Sequence, residues 1–186
     1  MDSLKRREVV FDNGIIIIEM NKDGVITYAN SKFTELTGYS KKEIIGVHFS
    51  KHIDPTMPKS AINDIWNTIS RKRIWRGYVK SIVKNNRYYW SMVWVQPRFD
   101  EQKAVIGYVA ILKEAYRSKI DKIDIYLKFL SLVENSSKVP YPYGKELIFG
   151  SDFIASKYLD LDLNERLEKL VDKKKYTKLM KYKIDT

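Results

Sequence analysis

Cysteine is absent from the 186 residues, which excludes disulfides, thiolate metal sites and thiol redox chemistry. Histidine is nearly as scarce. His48 and His52 are the only two imidazoles, too few for a His-rich metal site. The isoleucine run at 15–18 is far shorter than the roughly 20 apolar residues that span a bilayer. The opening "MDSLKRREVV" lacks the apolar core of a signal peptide. These absences give the expectation of a soluble, cytoplasmic chain with no membrane span. A Gly-rich phosphate loop is missing, as is a His–carboxylate pair beside a nucleophile, so the chain is not expected to be an enzyme.

What is present suits a packed core: 44% hydrophobic and 13% aromatic residues. The net charge of +11 is spread along the chain, the pattern of a solvated lysine-rich surface. Only "DKKKYTKLMKYK" at 172–183 concentrates it. That run keeps one alternative open, a basic nucleic-acid-binding protein, although no groove-reading motif accompanies it and nucleic acid is not the expected partner.

The N-terminal half is rich in strands. "GIIIIEM" (14–20) is a continuous β-branched run and predicts a strand buried on both faces. "NKDG" turns the chain, because Asp-Gly supplies the positive φ of a tight hairpin, and "VITYAN" (25–30) returns. Ser31 is placed to cap a short helix ending at Gly38, and Ser40 with Glu43 forms a capping box before "IIG". Pro58 suits the first turn of a helix over about 59–71, whose apolar face carries Ile62, Ile65, Trp66 and Ile69. Strands at 75–84, 87–99 and 104–114 follow, the first two joined by Asn85-Asn86. In the middle one, Tyr88, Trp90, Met92 and Trp94 share one face, and Tyr89, Ser91, Val93 and Val95 the other. The order predicts an α+β domain: an antiparallel five-stranded sheet with short helices on one face. Beyond it, Ile120, Ile123, Leu127 and Leu130 make an amphipathic stripe, supported by an Asp124–Lys128 pair.

These residues carry a family likeness. "DGVITYANSKFTELTGYSKKEIIG" resembles the front half of a PAS domain. "MP" at 57–58, "IW" at 65–66, "W.G.VK" at 75–80, "YYW" at 88–90, Pro97 and "GY" at 107–108 follow the order found in PAS domains of bacterial aerotaxis and energy-taxis receptors. The likeness covers about residues 8–114. It implies a PAS sensor domain at 1–115, followed by a connecting helix (116–134), a linker (135–150) and a helical C-terminal segment (151–186), the last three read from pattern alone.

The likeness also implies FAD in the space between sheet and helices. Trp75 matches a family tryptophan beside the flavin, and Trp66 is either a second wall or plain core. Asn30 ends the family's second strand, and Met57 belongs to its Met-Pro pair. The family's Arg-His-Pro-Asp falls on Ile53, Asp54, Pro55 and Thr56 without a gap, or puts His52 and Asp54 in the His and Asp roles after a two-residue shift. Ser81 stands where the family has Asn, keeping a hydroxyl but not the amide. The implied function is a signal sensor or adaptor that reports redox or energy state to a separate membrane-bound chemoreceptor, with PAS–PAS dimerisation as an option. A ligand-free interaction module is the other reading.

Overall fold

The computed structural model describes residues 6–134, and the segments at 135–150 and 151–186 lie outside the described residues. Five strands form one sheet: β1 (Ile16–Met20), β2 (Ile26–Ala29), β3 (Trp75–Val83), β4 (Arg87–Phe99) and β5 (Val105–Glu114). Their spatial order is β2-β1-β5-β4-β3, with every pairing antiparallel. Between β2 and β3 lie α1 (Ser31–Thr37), α2 (Lys41–Ile44), a 3-10 turn (Phe49–His52) and α3 (Lys59–Ser70). A final helix, α4, spans Arg117–Glu134.

Local chemistry explains the punctuation. Gly24 closes the β1–β2 turn at φ 75, and a Cβ there would lie 2.4 Å from Trp66 Cη2, so both conformation and space demand glycine. Asn85 and Asn86 both take positive φ (62 and 54), the requirement of a two-residue hairpin. Glu43 accepts the Ser40 backbone N–H (2.8 Å) and hydroxyl (2.7 Å), and the Asp124–Lys128 pair forms at 2.6 Å.

Two expectations are corrected. β1 is buried on one face only: Ile16, Ile18 and Met20 face the core, whereas Ile15 and Ile17 are exposed. Isoleucine occupies both faces of this strand, so composition hides the alternation. At α1 the cap position belongs to Asn30 rather than Ser31. The Asn30 side chain bonds β1 instead, accepting from Ile17 N (3.2 Å) and donating to Ile15 O (2.8 Å).

The sheet's two faces have different covers. Tyr89, Val93 and Val95 face α1–α3 and the 3-10 turn. On the opposite face Tyr78 and Trp90 are buried, and so is the whole α4 stripe of Ile120, Ile123, Leu127 and Leu130. All belong to one continuous core, and Asp124 on α4 acts electrostatically on Tyr88, so α4 lies over the outer face of β3 and β4. Its first turn is tied to the N-terminal segment by Arg117–Glu8 (2.8 Å). At its other end the Glu134 carboxylate accepts the backbone N–H groups of Lys59 (3.0 Å) and Ser60 (2.6 Å), capping α3 from 74 residues away.

Candidate functional site

Between the sheet and the helices lies a cavity of about 40 Å³. Its walls are apolar, with Ile18, Phe33, Ile65, Val93 and Leu112 among them. Two polar residues interrupt them, His52 and Ser81, with Tyr89 between sheet and cavity. The Tyr89 hydroxyl is hydrogen-bonded to the Ser81 side chain, and full burial pushes it well above the ordinary phenol range.

His52 is the unusual group. It is 8% exposed, and neither Nδ1 nor Nε2 has a hydrogen-bond partner. The edges of two aromatic rings pack around it, Phe33 and Tyr39, each with its centroid 5.4 Å away. Burial holds its pKa below the usual imidazole value, so the ring stays neutral near pH 7, with one donor and one acceptor. A buried imidazole with both nitrogens unmet costs free energy that an apolar side chain would not.

The structure brings only some of the candidates together. His52 and Ser81 share the cavity, and Ile53 bridges to Ser81 through the backbone. Asp54 turns away: its carboxylate, fully buried, meets Arg6 at 2.7 Å and accepts from the Thr56 backbone N–H (2.9 Å) and hydroxyl (2.7 Å). Met57 is buried in the turn before α3, and Asn30 serves the β1–α1 junction. Trp66 does not line the cavity; its ring meets His48, Phe49 and Tyr108 in tilted or edge-on contacts, with ring centroids 5.2–5.9 Å away, and of these Phe49 is itself a cavity wall. Trp75 is 1% exposed and donates its Nε1–H to Asp64 Oδ2 at 2.8 Å, fixing β3 to α3. Tyr39 and Arg6 are partners the sequence did not announce. Arg6 lies 48 residues from Asp54, and no local pattern points to it.

Asp64 carries the site's clearest titration. Burial raises its carboxyl to about 6, partly offset by the Trp75 N–H. A raised folded pKa means that the protonated form favours folding: its contribution is complete below about pH 4 and lost as pH rises through about 6. Asp64→Asn keeps an acceptor for Trp75 without the titration. Urea unfolding from pH 4 to 7 should show wild type losing about 1 kcal/mol relative to Asp64→Asn, the shift being discounted for a half-exposed group. Parallel pH profiles for the two proteins would show that Asp64 is solvated in the fold.

An antiparallel five-stranded sheet with short helices over an apolar cavity defines a PAS-like α+β fold. The chain belongs to the PAS domain family, whose model matches residues 12–115, more than half of the chain. It is 29% identical over 128 residues to the aerotaxis receptor of Escherichia coli (strain K12), covering 69% of this chain and 25% of that protein. It is 25% identical over 136 residues to hybrid signal transduction histidine kinase L of Dictyostelium discoideum, covering 73% of this chain and 8% of that one. The chain thus spans a quarter or less of these relatives' length. Among solved structures, the light-state LOV domain of the blue-light photoreceptor Aureochrome1 superposes with a TM-score of 0.52 at 21% identity, covering 65% of this chain and 91% of that one. That likeness shows the fold. Among the described residues, no helix is long and apolar enough to cross a membrane.

Proposed function

We propose that this chain senses a signal rather than catalysing a reaction, and that the cavity around His52 receives the signal. The carrying observation is the buried imidazole with both nitrogens unmet inside an apolar wall. A ligand with one hydrogen-bonding edge would satisfy it. The route outward is short. His52 leads through the Ile53–Ser81 bridge and the Asp54 turn to the N-terminus of α3, and Glu134 of α4 caps that N-terminus. A shift of His52 therefore bears on the docking of α4, the surface through which a separate chemoreceptor or a second PAS domain would read the state.

FAD is the ligand that the aerotaxis likeness favours, and a flavin analogue features in another structure of this fold. The lining chemistry suits a flat, mostly apolar ring system, but the space does not. About 40 Å³ holds a few waters, whereas ligand sites typically exceed about 300 Å³. An isoalloxazine does not fit this conformation, so the flavin reading requires the Phe49–His52 turn to move outward. The same small volume favours a second reading, a ligand-free PAS interaction module.

His52→Leu separates the readings. With nothing bound, leucine removes an unmet buried imidazole, and stability in urea should rise by about 1 kcal/mol. With a ligand bound, the variant should lose about one hydrogen bond's worth of affinity, roughly fivefold. Absorbance spectra of the purified proteins come first: a colourless wild type with no flavin released on denaturation would sink the FAD reading. A His52→Leu protein that is destabilised with nothing bound would show the imidazole to be structural, and the cavity would lose its sensing role.

A further inference from the structure

The end of the domain formed by the α3–β3 loop and the β4–β5 hairpin takes no part in the cavity. Arg71, Lys72 and Arg73 follow one another in that loop, all exposed. Lys72 donates from Nζ to the Lys103 carbonyl at 3.0 Å, and its Nζ lies 6.0 Å from the Phe99 ring centroid, so loop and hairpin form one edge. Lys103, exposed at the hairpin, is the fourth cation. None of the four forms an ion pair among the described residues. Two acidic groups stand against them. Asp100 uses one carboxylate oxygen on the Ala104 N–H (2.8 Å), and Glu101 is exposed. The edge stays net positive.

Three large apolar side chains are exposed on this same end: Ile74 at 49%, Phe99 at 45% and Ile106 at 46%. Single exposed apolar residues are ordinary, but three beside four unpaired cations mark a contact. Its occupant must offer negative charge and hydrocarbon together. A nucleic acid offers phosphate but rewards aromatic stacking or a groove-entering element, and two of these three tips are isoleucine. An anionic bilayer offers both. We propose that this edge docks on an anionic lipid surface, with Arg71, Lys72, Arg73 and Lys103 at headgroup level and Ile74, Phe99 and Ile106 entering the interface. This inference stands apart from what the cavity binds.

The full chain is sedimented with vesicles of phosphatidylcholine alone and of phosphatidylcholine mixed with phosphatidylglycerol. Binding should require the anionic lipid and weaken with salt. Each cation is worth about fivefold, so Arg71→Gln/Lys72→Gln/Arg73→Gln should lose on the order of a hundredfold. Phe99→Ser/Ile106→Ser should weaken binding while leaving its salt dependence. All five positions are exposed, so the variants should keep the wild-type circular dichroism. Lys173→Gln/Lys174→Gln/Lys175→Gln, in the other basic run, should bind as wild type. No sedimentation, equal sedimentation with neutral vesicles, or a loss confined to the Lys173–Lys175 variant would overturn the proposal. So would retention of a DNA duplex that the Arg71–Arg73 variant abolishes in a protein that ignores vesicles.

Discussion

Trp75→Ala is expected to lower the free energy of unfolding by about 3–5 kcal/mol, because it deletes a fully buried indole whose volume the sheet cannot recover. For a domain of this size that is a large share of about 5–15 kcal/mol of total stability. Two effects add. The cavity forms at the first residue of β3, paired with Val95, where the edge strand begins. The Asp64 carboxylate also loses its indole donor in a half-buried site. Trp75→Phe separates the two by keeping most of the ring while removing the N–H, and should cost about 1–2 kcal/mol. A double-mutant cycle of Trp75→Phe with Asp64→Ala, which removes the acceptor, should return a coupling of about 1 kcal/mol if the 2.8 Å bond is what links β3 to α3. If Trp75→Ala unfolds at the wild-type urea midpoint but changes ligand affinity, the indole is a pocket wall and its bond to Asp64 is incidental.

That outcome bears on what sequence can reveal about the site. Family likeness points to Trp75 as a flavin neighbour but not to its partner Asp64, eleven residues away. The signals that could be read were local. Asp23-Gly24, Asn85-Asn86 and the Ser40/Glu43 box each act within four residues, and the 3-4 spacing of α3 and α4 is a property of one helix. Contacts that close the fold join residues far apart: Arg6 to Asp54, Arg117 to Glu8, and Glu134 to Lys59 and Ser60. No periodicity encodes them. The one-sided burial of β1 has the same root, since an isoleucine looks alike whether a helix covers it or water does. His52 was visible as one of two imidazoles, but that both its nitrogens would be unmet depends on Phe33 and Tyr39 closing around it.

Leu127→Asp should release α4 from the sheet. Leu127 is 3% exposed, midway along a stripe whose other members, Ile120, Ile123 and Leu130, are equally buried. A carboxylate there is desolvated without a partner, at a cost of roughly several kcal/mol if the helix stays docked. Undocking lets the carboxylate return to water. It gives up the apolar burial of the three remaining stripe side chains and the Glu134 cap on α3, and it exposes Tyr78 and Trp90 on the outer face of the sheet. The strands should survive, because the cavity-side core of Phe33, Ile65, Val93 and Leu112 does not depend on α4. Hydrogen exchange should therefore rise sharply across Arg117–Glu134 and at the first turn of α3, by about a hundredfold or more, while β1 and β5 change little. Sedimentation should show new self-association through the bared face, since an uncovered aromatic patch seeks a partner. Glu134→Gln is the milder companion, weakening the cap by about 1 kcal/mol with the stripe intact. If Leu127→Asp leaves exchange in α3 and the sedimentation profile at wild-type values, α4 is a passive cover, and a signal from His52 must leave the domain by another surface.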